Sequence, residues 1–353
     1  MTPRERLVAS LRGEWGNKVP FVAYADQLPR SETARRLRNG GLCLVDRQVA
    51  VHRVSMPGVQ HERRHFEEDR RPLIRTVYRT EAGELSEVEE LGPDAGRWHV
   101  ERLFKGPQDY AALRALYAAQ QFEPDYEAFL RRQDQLGEDF LLKPEIGYSP
   151  LHQIMYWIMG IEQFAQEWSE RRDEVLDLYQ VLVDNRRRLY PVVAASPALL
   201  ATYCGNLSPE VIGLKRFQEY YRPHYDEFAD IMHDHGKLTS TLFDAGTWLL
   251  EEEIGLARLD CVEGFSPEPD GDMTVAQART VWHDKVLWTS VPRSAYLHSA
   301  AKVEVMIRQL LRESASGIRF IIGAGDNLPG ERWAETLLAV IRAINAEGGL
   351  PPP

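Results

Sequence analysis

The sequence predicts a (β/α)8 TIM barrel carrying an antiparallel β insertion near its N-terminus, and three observations lead there. From residue 139 onward, short apolar runs alternate with helical patterns: FLLKPEI (140–146), ALLATY (198–203), KLTSTLFD (237–244), CVEGF (261–265), VLWTS (286–290) and IRFIIG (318–323). Fully buried parallel strands and their crossover helices read this way. Two earlier runs raise the strand total to eight, the number that closes a barrel, and 353 residues suit one such domain with an insertion. The expected layout is a single unit over 1–350, interrupted at about 50–136, with 351–353 as a tail.

Residues 3 to 13 read as an amphipathic helix, and KVPFVAY (18–24) follows as the first barrel strand. A basic helix near 30–39 stops at Gly40 and Gly41, and a second strand begins at Leu42. Between about 59 and 104 the texture changes to alternating segments, IRTVYRT and ELSEVEEL around Ala82 and Gly83, which is hairpin chemistry. Two helices are expected over about 107–136, with Pro107 and Pro124 in their first turns. The last helix covers about 331–346.

Composition narrows the function classes. A hydrophobic content of 44% gives material for a large core, while a net charge of −11 opposes general nucleic-acid binding, which needs a concentrated basic surface. The basic clusters Arg35, Arg36, Arg38 and Arg186, Arg187, Arg188 lie in helical patterns and are read as solvated faces. Cys43, Cys204 and Cys261 are far apart, which suggests neither a disulfide framework nor a thiolate zinc site and fits a reducing, cytoplasmic setting. The start, MTPRERLVASLRG, is charged and lacks an apolar run, so it does not read as a signal peptide, and no apolar run is long enough to span a bilayer.

Reactive groups of such barrels lie at the carboxyl ends of the strands. His233-Asp234-His235 resembles a metal motif, yet Gly236 stops a helix there and puts both imidazoles on the opposite, stabilising rim. On the active rim, Asp244 follows the fifth strand as a site acid or a helix cap. Glu263 lies within the sixth strand, where burial would demand a partner or a shifted pKa. Asp326 and Asn327 occupy the glycine-rich turn after the eighth strand, which lacks a Walker lysine or a dinucleotide spacing. Asp244, Glu263 and Asp326 are therefore the candidate catalytic residues, able to share protons or hold a hard cation if they converge. Asp26, Arg30, Glu145, Tyr148, Tyr203, Asn206, Arg293 and Asn327 are the candidate substrate contacts.

Several stretches carry a family resemblance: the opening MTPRERLVASLRGEWGNKVPF, TEAGELSEVEEL followed by WHVERLFKGPQDYAALRAL, then DCVEGFSPEPDGDMTVAQAR, VLWTSVPRS and GAGDNLPGERW. Over nearly the whole chain these resemble the uroporphyrinogen decarboxylase superfamily. That resemblance implies a barrel, often dimeric, and either cofactor-free decarboxylation or zinc-dependent methyl transfer serving corrinoid proteins. The decarboxylases carry an arginine-rich segment of the form RQAGRY after strand one, where this chain reads AYADQLPRS with Arg30 alone. The methyltransferases carry HxCG after strand five and a cysteine after strand eight, where this chain reads Phe243-Asp244-Ala245-Gly246 and Gly325-Asp326.

The first expectation is accordingly a lyase-type enzyme without a cofactor. Asp244 or Glu263 would be its acid/base, and Arg30 or Arg293 would hold a small or tetrapyrrole-like anionic substrate. The alternatives are a corrinoid-linked methyltransferase, with zinc and a corrinoid protein as partner, and a non-catalytic metabolite-binding barrel. A homodimer is expected in each case.

Overall fold

The computed structural model describes residues 1–92, 97–205 and 208–347. The chain divides into two compact units, one of 1–51, 126–147 and 196–353, the other of 52–125 and 148–195. The second unit thus takes in 148–195 as well as most of the predicted insertion.

All eight predicted barrel strands form in the first unit: β1 (Phe21–Tyr24), β2 (Leu42–Asp46), β3 (Phe140–Leu142), β4 (Leu200–Tyr203), β5 (Leu238–Leu242), β6 (Cys261–Phe265), β7 (Val286–Ser290) and β8 (Phe320–Gly323). They make one parallel sheet in the order β4-β5-β6-β7-β8-β1-β2-β3, an α/β-barrel arrangement. Its two edge strands continue toward each other. Ile146 N–H donates to the Thr202 carbonyl at 2.9 Å, Thr202 N–H to Pro144 at 3.1 Å and Cys204 N–H to Gly147 at 2.9 Å, with a parallel bridge between Glu145 and Thr202.

Strand periodicity sorts the side chains into layers. The lower layer is apolar and belongs to one buried cluster, with Val22, Cys43, Leu141, Leu200, Cys261, Val286 and Ile321 joined by Leu7 and Leu11 of the helix Pro3–Leu11. That helix starts with a capping box, Thr2 and Glu5 exchanging side-chain and backbone bonds, which fixes where its apolar face begins. Two residues further along each strand come Tyr24, Val45, Lys143, Thr202, Ser240, Glu263 and Trp288, a layer in which polar groups appear. A further two residues bring Asp26, Arg47, Glu145 and Cys204.

The second unit holds an antiparallel sheet of Gln60–Glu68, Arg71–Thr80, Gly83–Leu91 and Arg97–Glu101. Its first hairpin turns through Asp69 and Arg70, both at positive φ (51° and 63°), the backbone of a type I′ turn. Pro107 does open a helical turn, but Pro124 ends a short strand, Gln121–Pro124, paired with His52–Ser55, and the next helix starts at Tyr126. Arg186 departs from the solvated face expected of it. It is buried, donating to the Tyr148 carbonyl at 3.1 Å and to Gln153 Oε1 at 2.6 Å, because the helix Arg172–Ala194 turns that position inward. Among the described residues no helix is long and apolar enough to cross a membrane.

Candidate active site

The most concentrated chemistry lies inside the first unit, around Glu263. This residue stands in the middle of β6 and is fully buried, as is Lys143 just beyond β3. A bare carboxylate in that position would cost several kcal/mol, so its partners decide its state. Lys143 Nζ donates to Oε1 at 2.6 Å and the Tyr24 hydroxyl donates to the same oxygen at 2.6 Å. Ser240 Oγ donates to Oε2 at 2.8 Å, and Thr202 Oγ1 lies 2.5 Å from Ser240 and 3.3 Å from Oε2. Each hydroxyl has one proton, so with Ser240 given to Glu263, Thr202 can donate to Ser240 and leave no donor unused. Burial pushes the Glu263 carboxyl upward, but Lys143, Tyr24 and Ser240 outweigh it and hold the group below its usual range, ionised. Burial and that same carboxylate push the Tyr24 phenol well above its usual value.

Lys143 has aromatic walls. Its Nζ lies 5.6 Å from the centre of the Tyr24 ring and 5.9 Å from that of Trp288, and the two rings stack 6.2 Å apart. Trp288 in turn fills the space that Gly323 of β8 leaves open, since a Cβ there would sit 2.7 Å from the indole nitrogen.

At the next layer up, Arg47 stacks on Tyr24, its guanidinium 4.1 Å from the ring centre. Its Nη2 bonds Asp26 at 3.0 Å and Asp326 at 2.7 Å, Nη1 bonds Asp326 at 3.2 Å, and Nε lies 3.3 Å from both Asp26 oxygens. Every nitrogen of the guanidinium is used, and the loops after β1, β2 and β8 are tied together. Burial works against the Arg47 charge, yet the two carboxylates reverse that and raise its pKa.

Glu145 completes the group. Its Oε1 lies 4.0 Å from Lys143 Nζ and is buried without a hydrogen-bond partner, while Cys204 Sγ donates to Oε2 at 3.5 Å. Burial raises the Glu145 pKa above 4.5 and the adjacent Glu263 adds to the rise, with Lys143 and Arg47 opposing it. Burial and Glu145 together keep Cys204 a thiol. The result is one carboxylate held as an anion and a second, partly exposed, whose pKa is raised.

Of the residues singled out from sequence, Glu145, Glu263, Asp26 and Asp326 are thus drawn into one electrostatic group. Asp244 is exposed in the loop after β5. Among the described residues no three His, Cys, Asp or Glu side chains converge as metal ligands, so Asp244, Glu263 and Asp326 do not form the carboxylate triad considered above. Arg30 and Arg293 are exposed, as is Asn327, whose N–H donates to Gln27 at 3.1 Å. Tyr203 is turned by strand alternation toward the helix Arg222–His233, where it packs on Tyr225 and Phe228. Tyr148 belongs to the second unit and packs with His152, Tyr156 and Trp157. Asn206 lies outside the described residues. His233 bonds Asp260 at 2.9 Å at the far rim.

Lys143, Tyr24, Ser240, Thr202, Arg47 and Cys204 were not singled out. Lys143 was the legible one: a lysine within the apolar run FLLKPEI must find a buried anion, and Glu263 within CVEGF needs a buried cation.

No protein-family model and no curated protein matches the chain. Among solved structures it is similar to a methyltransferase from Methanosarcina mazei, with a TM-score of 0.63 and 12% identity, over 98% of this chain and 99% of that one. At that identity the likeness shows the fold.

Proposed function

We propose that this chain is a methyl-transfer enzyme acting on a small substrate at the carboxyl ends of the barrel strands, with Glu145 as the acid/base residue. The observation that carries the proposal is the Glu145 carboxyl, partly buried and raised in pKa by that burial, with Oε1 buried and without a hydrogen-bond partner, beside a charge network that stays fixed. When a heteroatom–methyl bond breaks, its electron pair remains on the heteroatom, and Glu145 supplies the proton that makes this a stable leaving group. The methyl group passes without electrons to a nucleophilic acceptor, for which a corrinoid carried by a partner protein is the proposed class. Lys143, Glu263 and Tyr24 hold the floor of the site and keep its dielectric and geometry constant while the proton moves.

The zinc that this branch of the resembled superfamily implies does not fit these residues. The corresponding positions read Phe243-Asp244-Ala245-Gly246 and Gly325-Asp326, no ligand cluster exists among the described residues, and Glu263 is committed to Lys143. No step is therefore assigned to a metal.

Decarboxylation of a polyanionic substrate is the weaker reading, because inside the network Arg47 and Lys143 are both spent on internal partners, which leaves only the exposed Arg30 and Arg293, among the candidates, to hold carboxylates.

The test is transfer of a deuterium-labelled methyl group from small N-methyl and O-methyl compounds to free cob(I)alamin, followed by mass spectrometry. Wild-type protein should label the corrinoid, and Glu145→Gln should be slower by roughly a hundredfold or more, the ordinary contribution of a general acid. Carbon dioxide release from a carboxylated substrate without labelled corrinoid would favour the lyase, and binding without either reaction would favour a metabolite-binding barrel.

A further inference from the structure

We infer that the opposite rim of the barrel carries a second ligand site, a pocket for a phosphate group, as the free ion or as a phosphate monoester, held by Lys285, Arg319 and Arg12. All three line one cavity of about 580 Å3 at the amino ends of β5 to β8, and the proposed reaction uses none of them. Lys285 stands just before β7, Arg319 just before β8, and Arg12 just after the helix Pro3–Leu11.

Lys285 is the group that calls for a ligand. It is 3% exposed, and its Nζ donates to the Ala257 carbonyl at 2.6 Å and to the Leu259 carbonyl at 3.2 Å. An ammonium has three protons, and among the described residues the third has no hydrogen-bond acceptor. The carboxylate in ion-pair range, Asp284, lies 3.8 Å away and its side chain is 60% exposed, so it is largely given to solvent. Burial pushes the Lys285 pKa below its usual value, with Asp284, Asp260 and Asp226 opposing the fall. A buried cation bonded to neutral carbonyls and lacking a close counter-ion is stabilised by an anion that enters the cavity.

The two arginines add unused donors. Arg319 gives Nη1 to the Asp284 carbonyl at 2.6 Å, and among the described residues its Nε and Nη2, like the Arg12 guanidinium, have no partner. A Cβ on Gly13 would fall 2.6 Å from Arg319 Nε and Nη2, so the guanidinium rests on the turn that follows Arg12. Arg319 also holds a positive φ of 56°, where glycine or asparagine fits with less strain, yet the chain keeps a long cationic side chain there.

The acids of the cavity do not cancel this charge. Four cations, Arg12, Arg258, Lys285 and Arg319, line it against the carboxylates of Asp230, Asp260 and Asp284, a positive balance in a chain whose net charge is −11. Two of those carboxylates are taken: Asp230 pairs with Arg258, and Asp260 Oδ2 bonds His233 at 2.9 Å and the Thr239 N–H at 2.8 Å. A phosphate carries up to two negative charges and enough oxygens to accept from Lys285, Arg319 and Arg12 together. The cavity volume admits a monoester as well as the bare ion.

The experiment is calorimetric titration of the full chain at neutral pH and fixed ionic strength with sodium phosphate, glycerol 3-phosphate and sodium acetate. Phosphate should bind saturably, at least about tenfold more tightly than acetate, which has less charge and fewer acceptors. Arg12→Gln and Arg319→Gln should each weaken phosphate roughly three- to tenfold, and Asp284→Asn, which removes the carboxylate facing Lys285, should tighten it by a similar factor. Opposite shifts in variants of one cavity cannot come from general loss of structure. Glu145→Gln, at the other rim, should leave phosphate affinity unchanged. No saturable phosphate binding, equal binding of acetate, arginine and aspartate variants that shift the same way or not at all, or loss of binding in Glu145→Gln would overturn the inference. Tighter binding of glycerol 3-phosphate than of phosphate would identify an organic phosphate as the ligand, and equal or weaker binding the inorganic ion.

Discussion

Replacing Lys143 by methionine removes the ammonium from a carboxylate that has no access to water. Both groups are fully buried and 2.6 Å apart, and Tyr24 and Ser240 remain as the donors that Glu263 keeps. Two neutral hydroxyls do not replace a charge, so Glu263 must stay ionised at high cost or take up a proton. Breaking one side of a buried pair in this way costs about 3–5 kcal/mol. The loss should depend on pH with a defined sign. In wild-type protein Glu263 is held below its usual pKa, so its contribution is present above about pH 4.5 and fades as pH falls through the folded value. In Lys143→Met its folded pKa lies above the unfolded one, so the folded state binds the extra proton and the deficit shrinks as pH falls from 7 toward 5. Urea unfolding of both proteins at the two pH values measures this. A deficit below about 1 kcal/mol, or one equal at both pH values, would refute the claim that Lys143 keeps Glu263 ionised. The double variant Lys143→Met, Glu263→Leu should recover part of the loss, because no buried charge is left alone.

Other expectations follow from the same physics. If Glu145 donates a proton in the slow step, the rate should fall as pH rises through a value above the ordinary 4.5 of a carboxyl group, and Glu145→Gln should abolish that limb of the pH profile. In the second unit, burial together with Arg102 and Lys105 lowers the His99 pKa from 6.5 to about 4. The unfolded chain therefore takes the proton first, and stability should be full above about pH 6.5 and drop by roughly 3 kcal/mol on approaching pH 4, a drop that His99→Phe should remove in urea melts. Gly323→Ala places a Cβ 2.7 Å from the Trp288 indole nitrogen and should cost about 1–3 kcal/mol, and an unchanged melting temperature would show that Trp288 is not packed there.

The sequence by itself determined the eight barrel strands and their order along the chain. Parallel strands buried on both faces need unbroken apolar runs, and crossover helices need the longer period, so IRFIIG and VLWTS declare themselves locally, as does the hairpin texture around Ala82 and Gly83. It also placed Glu263, Glu145, Asp26 and Asp326 near the carboxyl ends, because that follows from where each strand stops. Partnership was not legible. Lys143 meets Glu263 across 120 residues and Arg47 meets Asp326 across 279, and no local pattern encodes which strand end faces which. The same limit applied to Tyr203 and Thr202, neighbours in one strand. Alternation says that they face opposite ways, but only the closing in of β5 and β6 decided that Thr202 meets Ser240 and Glu263 while Tyr203 packs on Tyr225. Charge state depends on exposure and neighbours within a few ångströms, both tertiary quantities, and these hold the Glu263 carboxyl below its usual range while raising that of Glu145.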